Sequence, residues 1–80
     1  MDRYRQYLVR NLAEKNDLTE NQIDTTIDIF EKGYIDSIGI FSLLVEIEDN
    51  LEIELSLEDI SSLDVYNINN IASLIETKCQ

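Results

Sequence analysis

Apolar residues recur at helical spacing in three stretches of the chain, and this pattern predicts three main helices. The first spans Asp2–Lys15, where Tyr4, Leu8 and Leu12 share one face. The last begins after Asn67, a residue that can cap a helix through its side chain. The apolar positions of this last helix are Ile68, Ile71, Ala72 and Ile75.

The second main helix is predicted over Ser37–Asn50, directly after Asp36, whose carboxylate can cap it. That cap makes Ser37 the first helical residue, where we expect its hydroxyl to be exposed and held in a rigid frame. On a helical wheel, one arc of this helix collects the residues expected to face the core. They are Ile40, Leu43, Leu44, Ile47 and Leu51.

A second apolar stripe on the same helix consists of Ile38, Phe41 and Val45, and Glu48 and Asp49 flank it. An unpaired carboxylate is costly to bury, so we expect Glu48 to reach water and the stripe to be at least partly exposed. An apolar strip with an acidic rim is typical of a small docking site. The sequence leaves the alternative open that a loop or another helix covers the stripe, above all at Phe41.

The connections between the main helices also carry signals. In the long connection over residues 16–35, Thr19 and Gln22 resemble a capping box for a single turn. Ser56 begins a short helix from Leu57, and the alternation over residues 51–55 is interpreted as a connection because helix signals bracket it. Apolar residues predicted to fasten the long connection to the core are Leu18, Ile23, Ile27, Ile29 and Phe30.

These elements predict an all-α fold, an antiparallel bundle of three main helices plus one short helix with a long first loop. We expect a single domain over residues 1–80. No apolar run approaches the roughly 20 residues that a membrane-spanning helix requires, and the first six residues lack the apolar stretch of a secretion signal. Cys79 is the single cysteine, which together with these features favours a reducing cytoplasm.

The charge of the chain limits its partners. It has 17 acidic and 6 basic residues, a formal net charge of −11, and four of the six bases lie within the first 15 residues. Such a surface repels nucleic-acid phosphates and anionic lipid, which argues against nucleic-acid binding and membrane insertion. It attracts basic protein surfaces. A purely solubilising role for the charge remains the other interpretation.

Most catalytic and metal chemistry lacks the residues it requires. The chain has no His, and Cys79 has no second cysteine for a disulfide or zinc site. Asp24 and Asp28 lack the spaced oxygen ligands of a calcium loop, and Gly33 and Gly39 do not make a phosphate-binding loop. We therefore expect no catalytic residues and no metal site, and a small enzyme is the least favoured class.

The run from Phe30 to Gly39 carries the most specific signal, Asp36-Ser37 before a long helix and after the turn residue Gly33. An Asp-Ser pair alone is more often simple capping. In a short acidic helical chain, however, the run resembles the modification site of acyl carrier proteins, and this resemblance covers nearly the whole sequence. It implies that Ser37 carries a covalent 4′-phosphopantetheine donated by coenzyme A, with Asp36 as motif residue and cap.

The resemblance also implies a function and partners. The chain would bear an acyl or aminoacyl group as a thioester on its arm and present it to enzymes of a fatty acid, polyketide, specialised-metabolite or envelope pathway. Partners would be a phosphopantetheinyl transferase and activating, acyl-transfer or condensing enzymes with basic docking surfaces, and the carrier would be a monomer. Residues expected in docking are Ile38, Phe41, Val45, Glu46, Glu48 and Asp49.

Two positions depart from the usual pattern. Carriers of fatty acid synthesis usually have acids where this chain has Gly39 and Ser42. With glycine at the first of these positions, the chain resembles D-alanyl and other specialised carriers. The alternative function is an unmodified acidic helical adaptor that binds a basic protein.

Overall fold

Four α-helices and one short 3-10 turn form the part of the chain that the computed structural model describes, the backbone of residues 2–79 and the side chains of residues 3–79. In chain order these elements are α1 (Asp2–Lys15), the 3-10 turn (Glu20–Gln22), α2 (Gly39–Leu51), α3 (Leu57–Ser61) and α4 (Ile68–Lys78). The predicted all-α fold, with three main helices, one short helix and a long first loop, is confirmed. Within residues 2–79, no helix is both long and apolar enough to span a bilayer.

The core lies between the helices, with α1 against α4 and α3 against the same helix. The predicted core face of α2 is confirmed at four positions, while its fifth member, Leu51, is partly buried. The large side chains with less than 2% exposure are Leu8, Leu12, Ile29, Leu43, Ile47, Ile68, Ile71 and Ile75.

Helix α2 begins at Gly39, two residues later than predicted, and ends at Leu51, one residue later. The shift at the start arises because Ser37 and Ile38 form a tight turn, in which Phe41 N–H donates to the Ile38 carbonyl at 3.2 Å. Helix termini commonly tighten in this way.

Side-chain caps precede α3 and α4, as predicted. The Ser56 hydroxyl accepts from Asp59 N–H at 3.2 Å, and the Asp59 carboxylate accepts from Ser56 N–H at 2.9 Å. Asn67 Oδ1 accepts from the N–H of Asn70 at 2.7 Å, and α4 follows directly. Each cap satisfies N–H groups that have no partner inside their helix.

Asp28 fastens the long connection to the segment between α3 and α4. Its carboxylate accepts from the N–H groups of Phe30, Glu31 and Tyr66 at 2.8, 3.2 and 3.3 Å. A backbone hydrogen bond of 3.0 Å from Ile29 to Tyr66 completes the link. Two segments separated by more than 30 residues are thereby joined beside the start of α2.

The predicted burial of this connection is confirmed for Ile23 and Ile29, and Leu18 and Phe30 pack partly against the core. It is wrong for Ile27, whose side chain is 36% exposed. The reason is the preceding turn, in which the Asp24 carboxylate accepts from Thr26 N–H at 2.8 Å and Ile27 follows at the surface.

Candidate functional site

Ser37 lies exposed in the turn that leads into α2. Asp36 frames it on both sides: its Oδ1 accepts from Gly39 N–H at 2.6 Å, and its carbonyl accepts from Ile40 N–H at 3.2 Å. A capping residue makes these two bonds, and here they close the turn of Ser37 and Ile38 that precedes α2. The regular helix starts later, but Ser37 still occupies the first capped turn.

The segment before Ser37 is held by hydrogen bonds to the part of the chain that directly follows α1. Gly33 adopts a φ of +83°, a left-handed conformation that favours glycine, and the buried Tyr34 follows it. The Tyr34 carbonyl accepts from Asn16 Nδ2 at 2.8 Å. Its hydroxyl donates to the Gln22 carbonyl at 3.3 Å and accepts from Asp24 N–H at 3.1 Å. Ser37 therefore emerges from a loop with a fixed backbone.

Gly39 has a packing role that its place in the sequence did not reveal. A Cβ at this position would lie 2.8 Å from Ile35 Cγ1 and 3.0 Å from Asp36 Oδ1, closer than side chains tolerate. Ile35 is buried and cannot turn away into solvent. In this chain the turn therefore leaves no room for a side chain at position 39, and glycine lets the backbone approach the Asp36 carboxylate.

The hydroxyl of Ser37 makes no hydrogen bond within the described residues, and neither do the backbone N–H groups of Ser37 and Ile38. A free hydroxyl on a rigid turn with two free N–H groups can accept a substituent without disturbing the fold. Unpaired N–H groups at a helix start also favour a negatively charged group.

Two surface cavities meet at Ser37. The larger, of about 590 Å³, lies toward the end of α1, and the smaller, of about 330 Å³, lies between α2 and α3. The larger is lined by Lys15, Phe30, Gly33, Tyr34, Ile35, Asp36, Ser37 and Gly39. The smaller, mostly apolar, is lined by Phe30, Ser37, Ile40, Phe41, Leu57, Ile60, Ser61 and Tyr66.

Sequence patterns did not single out Tyr66 or Leu57 as site residues. Phe30 and Tyr66 form an edge-to-face aromatic pair with ring centroids 5.5 Å apart. Four separate segments meet at the smaller cavity, and no local spacing along the chain could have indicated that meeting.

The apolar stripe on α2 is exposed, as expected. Ile38, Phe41 and Val45 have 77%, 55% and 57% of their surface in contact with solvent, so the alternative of a covered stripe is wrong. Asp49 is exposed and Glu48 is half-buried. The sequence left the exposure of Phe41 undecided, and in the structure Phe41 both belongs to the exposed stripe and lines the smaller cavity.

Glu46 has contacts within the chain, away from the stripe. Its carboxylate accepts from Lys15 Nζ at 2.9 Å and from Asn11 Nδ2 at 3.0 Å. The hydrogen bond from Lys15, followed by that from Asn11, lowers the pKa of Glu46 below its ordinary value. The predicted docking residue therefore joins α1 to α2, and its part in docking stays a prediction.

Comparison with known proteins places this geometry in a family. Residues 6–77 match the family described as "Phosphopantetheine attachment site". A D-alanyl carrier protein of Staphylococcus saprophyticus is 35% identical over 69 residues, which cover 86% of this chain and 85% of that protein. A D-alanyl carrier protein of Bacillus mycoides is 42% identical over 45 residues, which cover 56% of this chain and 54% of that protein.

These matches decide between the functions left open by the sequence. The family match covers the whole of α2 and α3 and most of α1, and it favours a carrier over an unmodified adaptor. Members of such families carry a covalent 4′-phosphopantetheine and work with transferases and biosynthetic enzymes, without catalysing a reaction themselves. The chain belongs to the phosphopantetheine attachment site family and is a carrier protein.

Proposed function

We propose that Ser37 is the residue to which the 4′-phosphopantetheine is attached. The observation that carries this proposal is the free, exposed hydroxyl of Ser37 on a turn that Asp36 caps at 2.6 Å. The two cavities that meet at Ser37 leave room for an arm to leave in either direction. The residues at this position therefore fit the group.

Other serines are less suitable for attachment. The hydroxyls of Ser56, Ser61 and Ser62 hydrogen-bond to Asp59 Oδ2, the Leu57 carbonyl and the Asp59 carbonyl, at 3.0, 2.8 and 2.6 Å. Ser73 lies inside α4. Ser42 is exposed, but it lies within α2 and has no cap before it. Ser37 alone combines exposure, a free hydroxyl and a fixed turn.

The chemistry that the arm supplies is a terminal thiol, which holds an acyl or aminoacyl group as a reactive thioester. The chain itself contributes position. Ser37 Oγ provides the attachment oxygen, and Asp36 with Gly39 fixes the direction in which that oxygen points. Tethering raises the effective concentration of the group at each enzyme that docks on the carrier.

For the cargo, we propose an acyl or aminoacyl group, with D-alanine the first compound to test. The support is that both relatives described above are named D-alanyl carrier proteins. Gly39 adds to this support, because the resemblance linked a glycine here to specialised carriers. The mass of the protein isolated from its own cells under acidic, thioester-preserving conditions would identify the group.

For docking, we propose the exposed stripe of Ile38, Phe41 and Val45, with Glu48 and Asp49 as its acidic rim. An apolar contact with charged surroundings fits partner enzymes that present basic surfaces. The net charge of −11 supports the same partners by electrostatic steering. We further propose that the carrier works in the cytoplasm as a monomer.

The attachment site is tested by intact mass after incubation with coenzyme A and a phosphopantetheinyl transferase. We expect the parent protein to gain one arm and Ser37→Ala to gain none, with unchanged helix content. Ser42→Ala is the matched control, because it removes another exposed serine hydroxyl close to the start of α2. Loading of Ser37→Ala would overturn the proposal, as would loss of loading in Ser42→Ala alone.

A further inference from the structure

Lys15 lies at the end of α1 and lines the same cavity as Ser37, about 590 Å³ in volume. It is the one cationic side chain among the residues that line this cavity. Its ammonium group contacts the Glu46 carboxylate at 2.9 Å, and about a third of its side chain is exposed. Lys15 therefore has a partner on α2 while it remains open to the cavity beside Ser37.

Attachment at Ser37 would place a phosphodiester, a permanent negative charge, at the mouth of this cavity. Asp36, the neighbouring residue, is already acidic, so the new charge adds to local repulsion. The free N–H groups of Ser37 and Ile38 offset part of this repulsion. The Lys15 ammonium group, which lines the same cavity, would offset more of the repulsion, because a lysine side chain can move without a change in the backbone.

The other bases line neither cavity, although Lys32 directly precedes Gly33, one of the residues that line the larger cavity. Lys78 contacts Asp59 at 2.9 Å, and Arg10 lies 3.9 Å from Glu20. Arg3 stacks over the Tyr4 ring at 5.3 Å. Neither cavity that meets at Ser37 includes any of these side chains, whereas Lys15 lines the larger one.

We propose that Lys15 binds the phosphodiester of the arm on Ser37 and shares its charge between that group and Glu46. This inference rests on the proposed attachment at Ser37. Loading would then strengthen the contact between α1 and the start of α2, and Glu46 would compete with the phosphate for Lys15. The folded carrier would thus be stabilised by its own modification through a residue 22 positions before the attachment site.

The test compares the urea unfolding equilibrium of apo and loaded protein at low salt, for the parent and for variants. We compare the unfolding equilibrium constant of the loaded protein with that of the apo protein, as a ratio. Lys15→Gln should raise this ratio by about threefold, the effect expected for one surface ion pair, because the loaded protein loses its contact between Lys15 and the phosphate. Glu46→Gln should lower that ratio, because Lys15 then has a single partner. Lys15→Arg should leave it close to the parent value.

Lys78→Gln is the matched control. It also removes one lysine from an ion pair of 2.9 Å at similar exposure, but Lys78 lines neither cavity that meets at Ser37. We expect it to change apo and loaded protein equally. In parallel, the ³¹P resonance of the loaded protein should move in Lys15→Gln and stay in place in Lys78→Gln. High salt should reduce both the rise in the ratio of unfolding constants and the shift of the ³¹P resonance in Lys15→Gln.

The outcomes separate the two proposals. Absence of the arm from the peptide that contains Ser37, read by mass, would overturn the attachment site itself. Loading at Ser37 with equal ratios in Lys15→Gln and Lys78→Gln, and an unmoved ³¹P resonance, would overturn only the role of Lys15. A ratio that rises in Glu46→Gln would overturn the competition between the carboxylate and the phosphate.

Discussion

The Asp36 carboxylate accepts a 2.6 Å hydrogen bond from Gly39 N–H, and the lack of a side chain at Gly39 is what allows this approach. Ser37 and Ile38 lie between the two partners of this bond. The bond closes the turn around them and leaves the Ser37 hydroxyl free. A cap and a glycine together therefore determine how the proposed attachment site is displayed.

Replacing Gly39 with alanine should destabilise the protein, although alanine is the better helix former by about 1 kcal/mol. The added Cβ would lie 2.8 Å from Ile35 Cγ1, so a buried side chain or the capped turn must shift. We expect the free energy of unfolding to fall by about 1–3 kcal/mol. Urea denaturation measures this change, and exposed Ser42→Ala on the same helix should be neutral or slightly stabilising. A gain in stability from Gly39→Ala would contradict the close packing.

Asp36→Ala should cost about 0.5–2 kcal/mol of stability, since it removes the cap and leaves the Gly39 N–H without its partner. Asp36→Asn should retain most of that stability, because an amide oxygen caps about as well as a carboxylate. Thermal unfolding of both variants measures the cap. If Asn and Ala are equally destabilising, the charge of Asp36, and not its hydrogen bond, stabilises the turn.

Helical spacing predicted the elements well because each main helix buries one continuous face. The residues Ile40, Leu43, Leu44 and Ile47 recur at the spacing of that face, and all four are buried. Local hydrogen-bonding chemistry likewise located the caps at Ser56 and Asn67. Such features are formed by residues that are close together in the chain, so they can be predicted from the sequence.

Features that depend on distant segments were beyond prediction. Ile27 was expected in the core, but a turn closed by Asp24 leaves it at the surface. Glu46 was grouped with the docking residues, whereas its position opposite Lys15 follows from how α1 and α2 pack. The contact of Phe30 with Tyr66 likewise forms only when the long connection packs against the segment between α3 and α4.

Glu46 should make a pH-dependent contribution to stability. The hydrogen bonds from Lys15 and Asn11 lower its pKa in the folded state from an ordinary value of 4.5. A lowered pKa means that the contribution is present in full above the unfolded-state value and is lost as the pH falls through the folded-state value. The parent should therefore be more stable than Glu46→Gln at pH 7, by less than about 1 kcal/mol at this partly exposed site.

The difference between parent and Glu46→Gln should shrink as the pH falls below 4.5 and vanish below the folded-state pKa of Glu46, as followed by urea unfolding at each pH. Exposed Glu31→Gln is the control, because the Glu31 side chain forms no ion pair within the described residues. Glu31→Gln should leave the free energy of unfolding at pH 7 equal to that of the parent or slightly higher, since it removes one negative charge and so reduces the repulsion among the acids. A Glu46→Gln difference that persists at low pH would show that packing, and not charge, is responsible.

Added salt should stabilise the protein. Residues 16–80 contain 15 acids and two bases, so their net charge of −13 opposes the compact state. Screening by monovalent salt should raise Tm, and a divalent cation at equal ionic strength should raise it further if it binds the folded form. Calorimetry in sodium and magnesium chloride measures both. A Tm that is insensitive to either salt would show that the acids are too well separated or too well paired to repel.

The exposed stripe proposed for docking and its acidic rim should affect different steps of partner binding. Ile38→Ala or Val45→Ala should speed dissociation, because each removes an apolar contact that becomes desolvated in the complex. Glu48→Lys or Asp49→Lys should chiefly slow association, and their difference from the parent should shrink as salt rises. Arm transfer to Ser37 and surface binding kinetics, measured over an ionic-strength series, would separate the two effects.

Val65→Ala is the control for the stripe, since Val65 is also apolar and exposed, at 41%, but lies outside α2. We expect it to leave both rate constants near the parent values, while helix content confirms that every variant is folded. Charge reversal at Glu48 and Asp49 with no change in the low-salt association rate would exclude this face of α2. Docking would then have to use the acids that follow α2, because Glu52, Glu54 and Glu58 form the next exposed run of negative charge.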